Sequence, residues 1–281
     1  MGVVKPVFKW AGGKRKSASK IVKVLFGGRF GANYIEPFLG GGAVFFEAAV
    51  NGRIGSAHLG DSNPALIAAY EAIRDDLATY VDCLRALPAA PNVNEYLALR
   101  QSYNDYRGAN KWRRAVLFAW LNKHAFNGLY RENKAGDYNV PWGARRWDPL
   151  MSAGEYRQAR ELFGRYVAAF HAESFDERNW PYGSIIYCDP PYAPSDTRQS
   201  SMFASYQAKR WGQAEREGLA AWARKQSERG CRVGISDRWV ESALSTYRGA
   251  EIHPLEATHV IGRGNAKHKV GELLAIYEEK T

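Results

Sequence analysis

Four consecutive residues, Asp189-Pro190-Pro191-Tyr192, follow the apolar run Ile185-Ile186-Tyr187-Cys188. The run reads as a strand. A carboxylate at the C-terminal end of a strand sits where open α/β sheets keep their ligands. The two prolines fix the backbone behind it and remove two N–H donors. Asp189 is thereby left beside carbonyl oxygens with no neighbouring donors, an arrangement suited to accepting hydrogen bonds from an amino group. Tyr192 adds a ring on which a flat substrate can stack.

A second constellation is Glu36-Pro37-Phe38-Leu39-Gly40-Gly41-Gly42, with Asp61 following Gly40 by 21 residues. Glycines at a strand-to-helix turn let backbone approach a ligand, and an acidic residue at about this distance can take ribose hydroxyls. A nucleoside cofactor is favoured. Phosphate is not, because Glu36 would repel it and no Gly-Lys-Ser/Thr follows. A third is Trp10-Ala11-Gly12-Gly13-Lys14, where two glycines separate an aromatic ring from a cation.

These groups need elements to position them. Tyr34–Ile35 reads as a short strand leading into the glycine turn, and a helix starts at Ala43. Ala57–Leu59 reads as a second strand ending at Asp61. Asn63 and Pro64 then supply an N-cap and a proline at the first helical position. Behind them Leu66, Ile67, Tyr70, Ile73, Leu77, Val81 and Leu84 recur on one face of a single helix. Helices are also predicted over 94–106, 111–124 and 213–229, with the second buried because it is apolar almost all round. Residues 127–143 read as a hairpin around Ala135-Gly136-Asp137. Ser152 and Glu155 read as a capping box opening a helix to about 163. Strand-like runs fall at 166–170, 185–188, 232–236 and 272–277. Strands alternating with helices imply an α/β sheet. Residues 64–151 lack that rhythm and read as an inserted, mainly helical domain carrying the hairpin, between 1–63 and 152–281.

The chain has 281 residues and a formal net charge of +10. That length suits one or two domains, and the composition is that of a globular protein. Residues 1–35 carry eight basic side chains and no acidic one, and 107–146 carry nine basic and two acidic. Such segregation is the footprint of a polyanion surface. The second stretch interleaves Trp112, Phe118, Trp120, Phe126, Tyr130, Tyr138 and Trp142, and flat rings among cations suit nucleic acid. No apolar run is long enough to span a membrane, and the N-terminus lacks the apolar core of a signal peptide. Three widely spaced cysteines, Cys83, Cys188 and Cys231, offer no disulfide framework, so a cytoplasmic location is expected. Neither HExxH nor a Cys/His cluster offers a metal site, and none is expected.

Asp-Pro-Pro-Tyr is similar to the catalytic motif of amino-methyltransferases acting on DNA bases. From Lys9 to about Tyr277 the chain resembles the DNA adenine methylase (Dam) family of α-group adenine-N6 methyltransferases. The matching stretches are KWAGGK (9–14), EPFLGGG (36–42), D-x-N (61–63), RRAVLF (113–118), LNKHAFNGLYRENKAGDYNVPWG (121–143), YCDPPYAP (187–194) and ELLAIY (272–277). The resemblance implies a Rossmann-like S-adenosylmethionine-dependent methyltransferase sheet with an inserted DNA-recognition domain. It implies S-adenosyl-L-methionine as cofactor, S-adenosyl-L-homocysteine as product, and double-stranded DNA as partner, with no obligate protein partner.

Carried over by position, Trp10, Lys14, Glu36, Phe38, Gly40 and Asp61 would hold the cofactor, with Asp189 at its edge. Asp189, Pro190, Pro191 and Tyr192 would hold the target adenine. Lys9, Phe126, Asn127, Leu129, Arg131, Asn133 and Pro141 match positions that touch DNA. Three departures stand out. Phe-Leu-Gly-Gly-Gly replaces the frequent Phe-x-Gly-x-Gly. Arg145 stands where the best-known members have an aromatic, and is expected to add a DNA contact. The family's Ser/Arg-rich C-terminal stretch is represented only by Ile261-Gly262-Arg263-Gly264-Asn265. GATC is the expected target. Cytosine-C5 chemistry needs a nucleophilic cysteine, usually after proline, and none is so placed. N4-cytosine methylation more often shows Ser-Pro-Pro-Tyr, RNA methylation fits the insert less well, and a DNA-binding protein without activity would not need the intact motifs.

Overall fold

The computed structural model describes residues 4–147, 149, 153–172, 174–175, 178–192, 211–261 and 268–279. Its strands are β1 (Ala32–Glu36), β2 (Ile54–Gly60), β3 (Val167–His171), β4 (Ile185–Cys188), β5 (Arg232–Arg238), β6 (Glu251–Ile261) and β7 (His268–Tyr277). They form one sheet in the order β3-β2-β1-β4-β5-β7-β6. The pairs from β3 to β5 are parallel, and β7 runs antiparallel between β5 and β6. The α/β expectation therefore holds. β6 is the strand the sequence did not announce.

The strand order reverses direction between β1 and β4, which opens a crevice at their C-terminal ends. One helix after another covers the sheet: α1 (Ala18–Phe26), α2 (Ala43–Val50), α7 (Ala153–Tyr166), α8 (Gln213–Glu228) and α9 (Glu241–Thr246). In α1 the buried Ile21, Val22, Leu25 and Phe26 make one apolar face, and Gly27 closes the helix at φ +51°. β4 is buried at every residue, as befits a central parallel strand covered on both faces.

Residues 64–151 contribute α3 (Pro64–Asp75), α4 (Leu77–Arg85), α5 (Val93–Asp105) and α6 (Lys111–His124), and no strand of the sheet among the described residues. Asn63 caps α3 by accepting from the Ala65 and Leu66 amides. The single long helix expected behind it is broken. Asp76 leaves helical geometry at φ −145°, ψ +67°, and its carboxylate caps α4 through the Thr79 N–H. The apolar face continues because the break turns the chain without exposing Leu77 or Leu84. α6 is buried from Ala115 to Asn122, as its composition implied. Of the rings interleaved with cations, Phe118, Trp120 and Tyr138 are core and cannot meet a base. Phe126 and Trp112 are the exposed ones, at 53% and 36%.

The expected hairpin is reduced to two antiparallel bridges, Ala125 with Trp142 and Glu132 with Tyr138. Its tip is closed by Asn133, whose side-chain oxygen accepts from the Ala135 and Asp137 amides. Ser152, half of the predicted capping box, lies outside the described residues, as do Ala193, Pro194 and the stretch from Gly262 to Asn265.

Candidate active site

The glycine turn leaves the end of β1 and enters α2 at Gly42, whose φ is +70°. Gly40 stands at φ +47°, and a Cβ there would lie 2.5 Å from Cδ1 of Trp10. Both the conformation and the indole packed over it require glycine. Two groups hold the turn. Tyr70 of α3 donates to the Gly40 carbonyl at 2.8 Å, and the Gly40 N–H donates to Asp61 Oδ2 at 2.9 Å. Asp61 Oδ1 accepts from the Asn63 N–H at 2.9 Å. A carboxylate offers about four acceptor sites, so each oxygen of Asp61 keeps one for a hydroxyl. Burial pushes its pKa up to about 6, opposed by the two N–H groups.

Glu36 is buried and accepts from the Tyr34 hydroxyl at 2.8 Å. Burial raises its pKa well above the ordinary range, and the nearby Asp189 charge adds to this. Phe38 is half-buried against Phe175 and Trp211, with ring centroids 5.4 and 5.6 Å away. The cradle fits a nucleoside: a bare backbone turn, an aromatic wall and a carboxylate with free acceptor capacity.

Across the β1–β4 crevice, Asp189 follows β4 directly. Its Oδ1 lies 2.9 Å from Nζ of Lys14, which is buried and also donates to the Gly12 carbonyl at 3.0 Å. Lys14 Nζ stands 3.6 Å from Oε1 of Glu272 on β7. Burial raises the Asp189 pKa to about 6, and the Lys14 ammonium restrains the rise. Tyr192 turns back over this pair. Its hydroxyl is 3.5 Å from Asp189 Oδ1, and Lys14 Nζ lies 4.8 Å from its ring centroid. Pro190 is buried, whereas Pro191 faces solvent. The structure thus brings Trp10, Lys14, Gly40, Asp61, Asp189 and Tyr192 to one end of the sheet.

The basic stretch reaches this end through Asn122. Its side chain accepts from the Lys9 N–H at 3.0 Å and donates to the Lys9 carbonyl at 2.8 Å and the Gly128 carbonyl at 3.3 Å. The stem of Lys9 lies over Gly128, where a Cβ would be 2.6 Å from Lys9 Cδ. Trp10 stacks on Tyr130 at 5.8 Å. Asn127 takes a left-handed φ of +55°, and the Phe126 N–H donates to the Pro141 carbonyl at 2.9 Å. Leu129 is 37% exposed. Arg145 is exposed, and its carbonyl lies 2.9 Å from Nδ1 of buried His124. Burial lowers the pKa of Lys9, and the charge of Arg145 lowers it further, so the two cations share one neighbourhood.

Two expected DNA contacts already have partners within the protein. Asn133 closes the hairpin tip. Arg131 is braced by Asn139, donating from Nε to its side-chain oxygen at 2.7 Å and from Nη2 to its carbonyl at 3.2 Å. Sequence reasoning missed Tyr70, Asn122 and Glu272. An amide in the buried run of α6 and a carboxylate opening the apolar run of β7 were the available signals.

A sheet parallel from β3 to β5, with a glycine turn and Asp61 on one side of its switch point and Asp189 on the other, suits a group-transfer enzyme acting on a base. The comparisons specify it further. The family model of the D12 class N6 adenine-specific DNA methyltransferases matches residues 10–261, and the chain belongs to that family. It is 33% identical over 275 residues to a DNA adenine methylase of Vibrio cholerae serotype O1, covering 96% of this chain and 94% of the relative. It is 31% identical to the DNA adenine methylase of Escherichia coli (strain K12), with the same coverage. The protein is therefore an adenine-specific DNA methyltransferase, as the motifs implied. No helix among the described residues is long and apolar enough to cross a membrane.

Proposed function

We propose that the protein transfers a methyl group from S-adenosyl-L-methionine to N6 of an adenine flipped out of duplex DNA, with GATC as target. One observation carries this reading: Asp189 and the Gly40–Asp61 cradle face each other across the β1–β4 crevice. When bound, the cofactor supplies an electrophilic methyl group on a sulfonium centre. Trp10, Phe38 and the Gly40 turn enclose it, Asp61 takes the ribose hydroxyls, and Glu36 and Lys14 complete the wall.

The adenine amino nitrogen is a poor nucleophile because its lone pair is conjugated with the ring. Asp189 and the Pro190 carbonyl each accept one of its N–H groups, which favours a pyramidal nitrogen and frees the lone pair. Pro191 keeps that backbone rigid and Tyr192 stacks on the base. Orientation then does most of the remaining work. Lys14 favours the ionised form of Asp189, which is the stronger acceptor. Residues 64–151 form the reading insert between catalytic segments 1–63 and 152–281. The base leaves the duplex to be reached. Phe126 wedges into the gap, with Asn127 holding the turn. Lys9 and Arg131 read the outer guanines, Leu129 and Pro141 meet the thymine methyl, and Arg145 grips the flank. Asn133 shapes the tip that carries them.

The test is sequencing that detects modified bases in DNA from cells expressing the wild type and Asp189→Ala. Methylated adenine in GATC is expected only with the wild type. Another motif would overturn the site assignment, and methylation by Asp189→Ala would overturn the amino-acceptor role.

A further inference from the structure

Arg238 ends β5, next to the catalytic strand β4 on the side away from β1. Its guanidinium carbon lies 5.9 Å from the ring centroid of Tyr192. Its Nη1 is buried from solvent and has no hydrogen-bond acceptor. An unpartnered buried donor on a cation is costly and calls for an explanation. Of the carboxylates nearby, Glu272 stands directly opposite Arg238 in the β5–β7 register but forms its ion pair with Lys14. Asp189 and Glu272 share Lys14, while Asp237 is held by Arg216 at 2.9 Å and by Tyr247 at 2.8 Å. The Asp237 network also anchors the strand end, and the Arg238 N–H donates to Asp237 at 2.7 Å. Beyond it, Trp239 is 40% exposed, with its N–H bonded to the Gly271 carbonyl at 2.9 Å.

We propose that Arg238 is a second DNA-binding element, separate from the hairpin, which takes a phosphate flanking the flipped adenine. The inference rests on the reading of Asp189–Tyr192 as the target-base pocket. Two anions visit this end of the sheet: the carboxylate of the cofactor and the phosphates of the DNA. The glycine turn and Asp61 of the cofactor cradle belong to β1 and β2, on the other side of β4, and the cradle already has its own cation in Lys14, so the anion assigned to Arg238 at β5 is the one that comes with the target nucleotide. A guanidinium pairs with phosphate in a two-pronged geometry, and this one stands beside the ring on which the base stacks. The exposed Trp239 ring continues the surface along which the strand would leave.

The experiment compares wild type, Arg238→Ala and Arg238→Lys in three measurements: duplex DNA affinity against salt, cofactor affinity, and steady-state methylation. For Arg238→Ala, affinity for GATC duplex should fall about tenfold or more and the salt slope should become shallower by about one. Cofactor affinity should be unchanged, and Arg238→Lys should recover part of the loss. Neutral methylphosphonates at the two phosphates flanking the adenine should weaken wild-type binding, while leaving Arg238→Ala little affected. Unchanged DNA affinity and slope would overturn the proposal. So would a loss confined to cofactor binding, which would assign Arg238 to the cofactor carboxylate. If the wild type methylates GATC adenine while Arg238→Ala binds DNA normally, only this inference fails. If the wild type methylates elsewhere, the proposed target fails instead, and the phosphate test is repeated on the motif found.

Discussion

Lys14 and Asp189, one from the N-terminal arm and the other from the end of β4, meet as an ion pair at 2.9 Å, with the ammonium buried and the carboxylate 20% exposed. The pair bears on the ionisation of Asp189, the carboxylate proposed to accept the adenine amino group. Burial alone would favour the neutral acid, and the ammonium offsets part of that cost, leaving a pKa of about 6.

The first prediction is a pH profile. The amino-accepting form of Asp189 is the carboxylate, so turnover should fall as pH drops through about 6. Lys14→Gln removes the restraining charge and should move this acid limb upward. Activity at saturating cofactor would then be low near neutrality and recover above pH ~8. A limb that stays in place would show that Lys14 does not govern Asp189.

Asp61 braces the Gly40 turn and is proposed to take a ribose as well. Asp61→Ala should weaken cofactor binding at least tenfold by calorimetry. It should also cost about 1–3 kcal/mol of folding stability, because the buried Gly40 and Asn63 amides lose their acceptor. Asp189→Ala should spare cofactor binding while abolishing methylation. The opposite pattern would reverse the two assignments.

Asn122 ties the N-terminal arm to the turn at Phe126–Gly128. Asn122→Ala should lower stability by about 2–4 kcal/mol through its unpaired backbone groups. It should also raise KM for DNA more than it lowers kcat, because Lys9 and the hairpin lose their fixed spacing. Denaturant unfolding and steady-state kinetics on one preparation separate the effects. Equal losses in kcat and KM terms would argue that the tie supports only the fold.

Arg131 should discriminate, not merely attract. Its guanidinium is braced by Asn139, which reduces the ordering cost of a two-pronged contact with guanine. Arg131→Ala should lose about 1–3 kcal/mol of selectivity at one outer G·C pair. Asn139→Ala should lose a smaller share at the same pair. Uniform weakening across substituted sites, with a shallower salt slope, would make Arg131 a phosphate contact.

Local signals in the chain determined a large part of this protein. An apolar run, a glycine turn and an acidic residue 21 positions on were sufficient to place β1, α2 and Asp61. Asn63-Pro64 marked the start of α3, and Asp189 was legible at a strand end because two prolines stop the strand there. Such features depend on neighbours along the chain, which a sequence states outright. Tertiary structure decided the rest. Hydrophobic periodicity ran through Asp76, yet the backbone breaks there, since periodicity reports a buried face and not continuity of hydrogen bonding. Rings that looked ready to meet bases became the core of the insert, because only packing determines which side of α6 is covered. The partners of Asn122 lie 113 residues away at Lys9, and Lys14 finds Glu272 near the other end of the chain. The packing of the N-terminal arm against α6, and the sheet order that brings β1, β4, β5 and β7 side by side, make those contacts and join in one site residues that are remote in sequence.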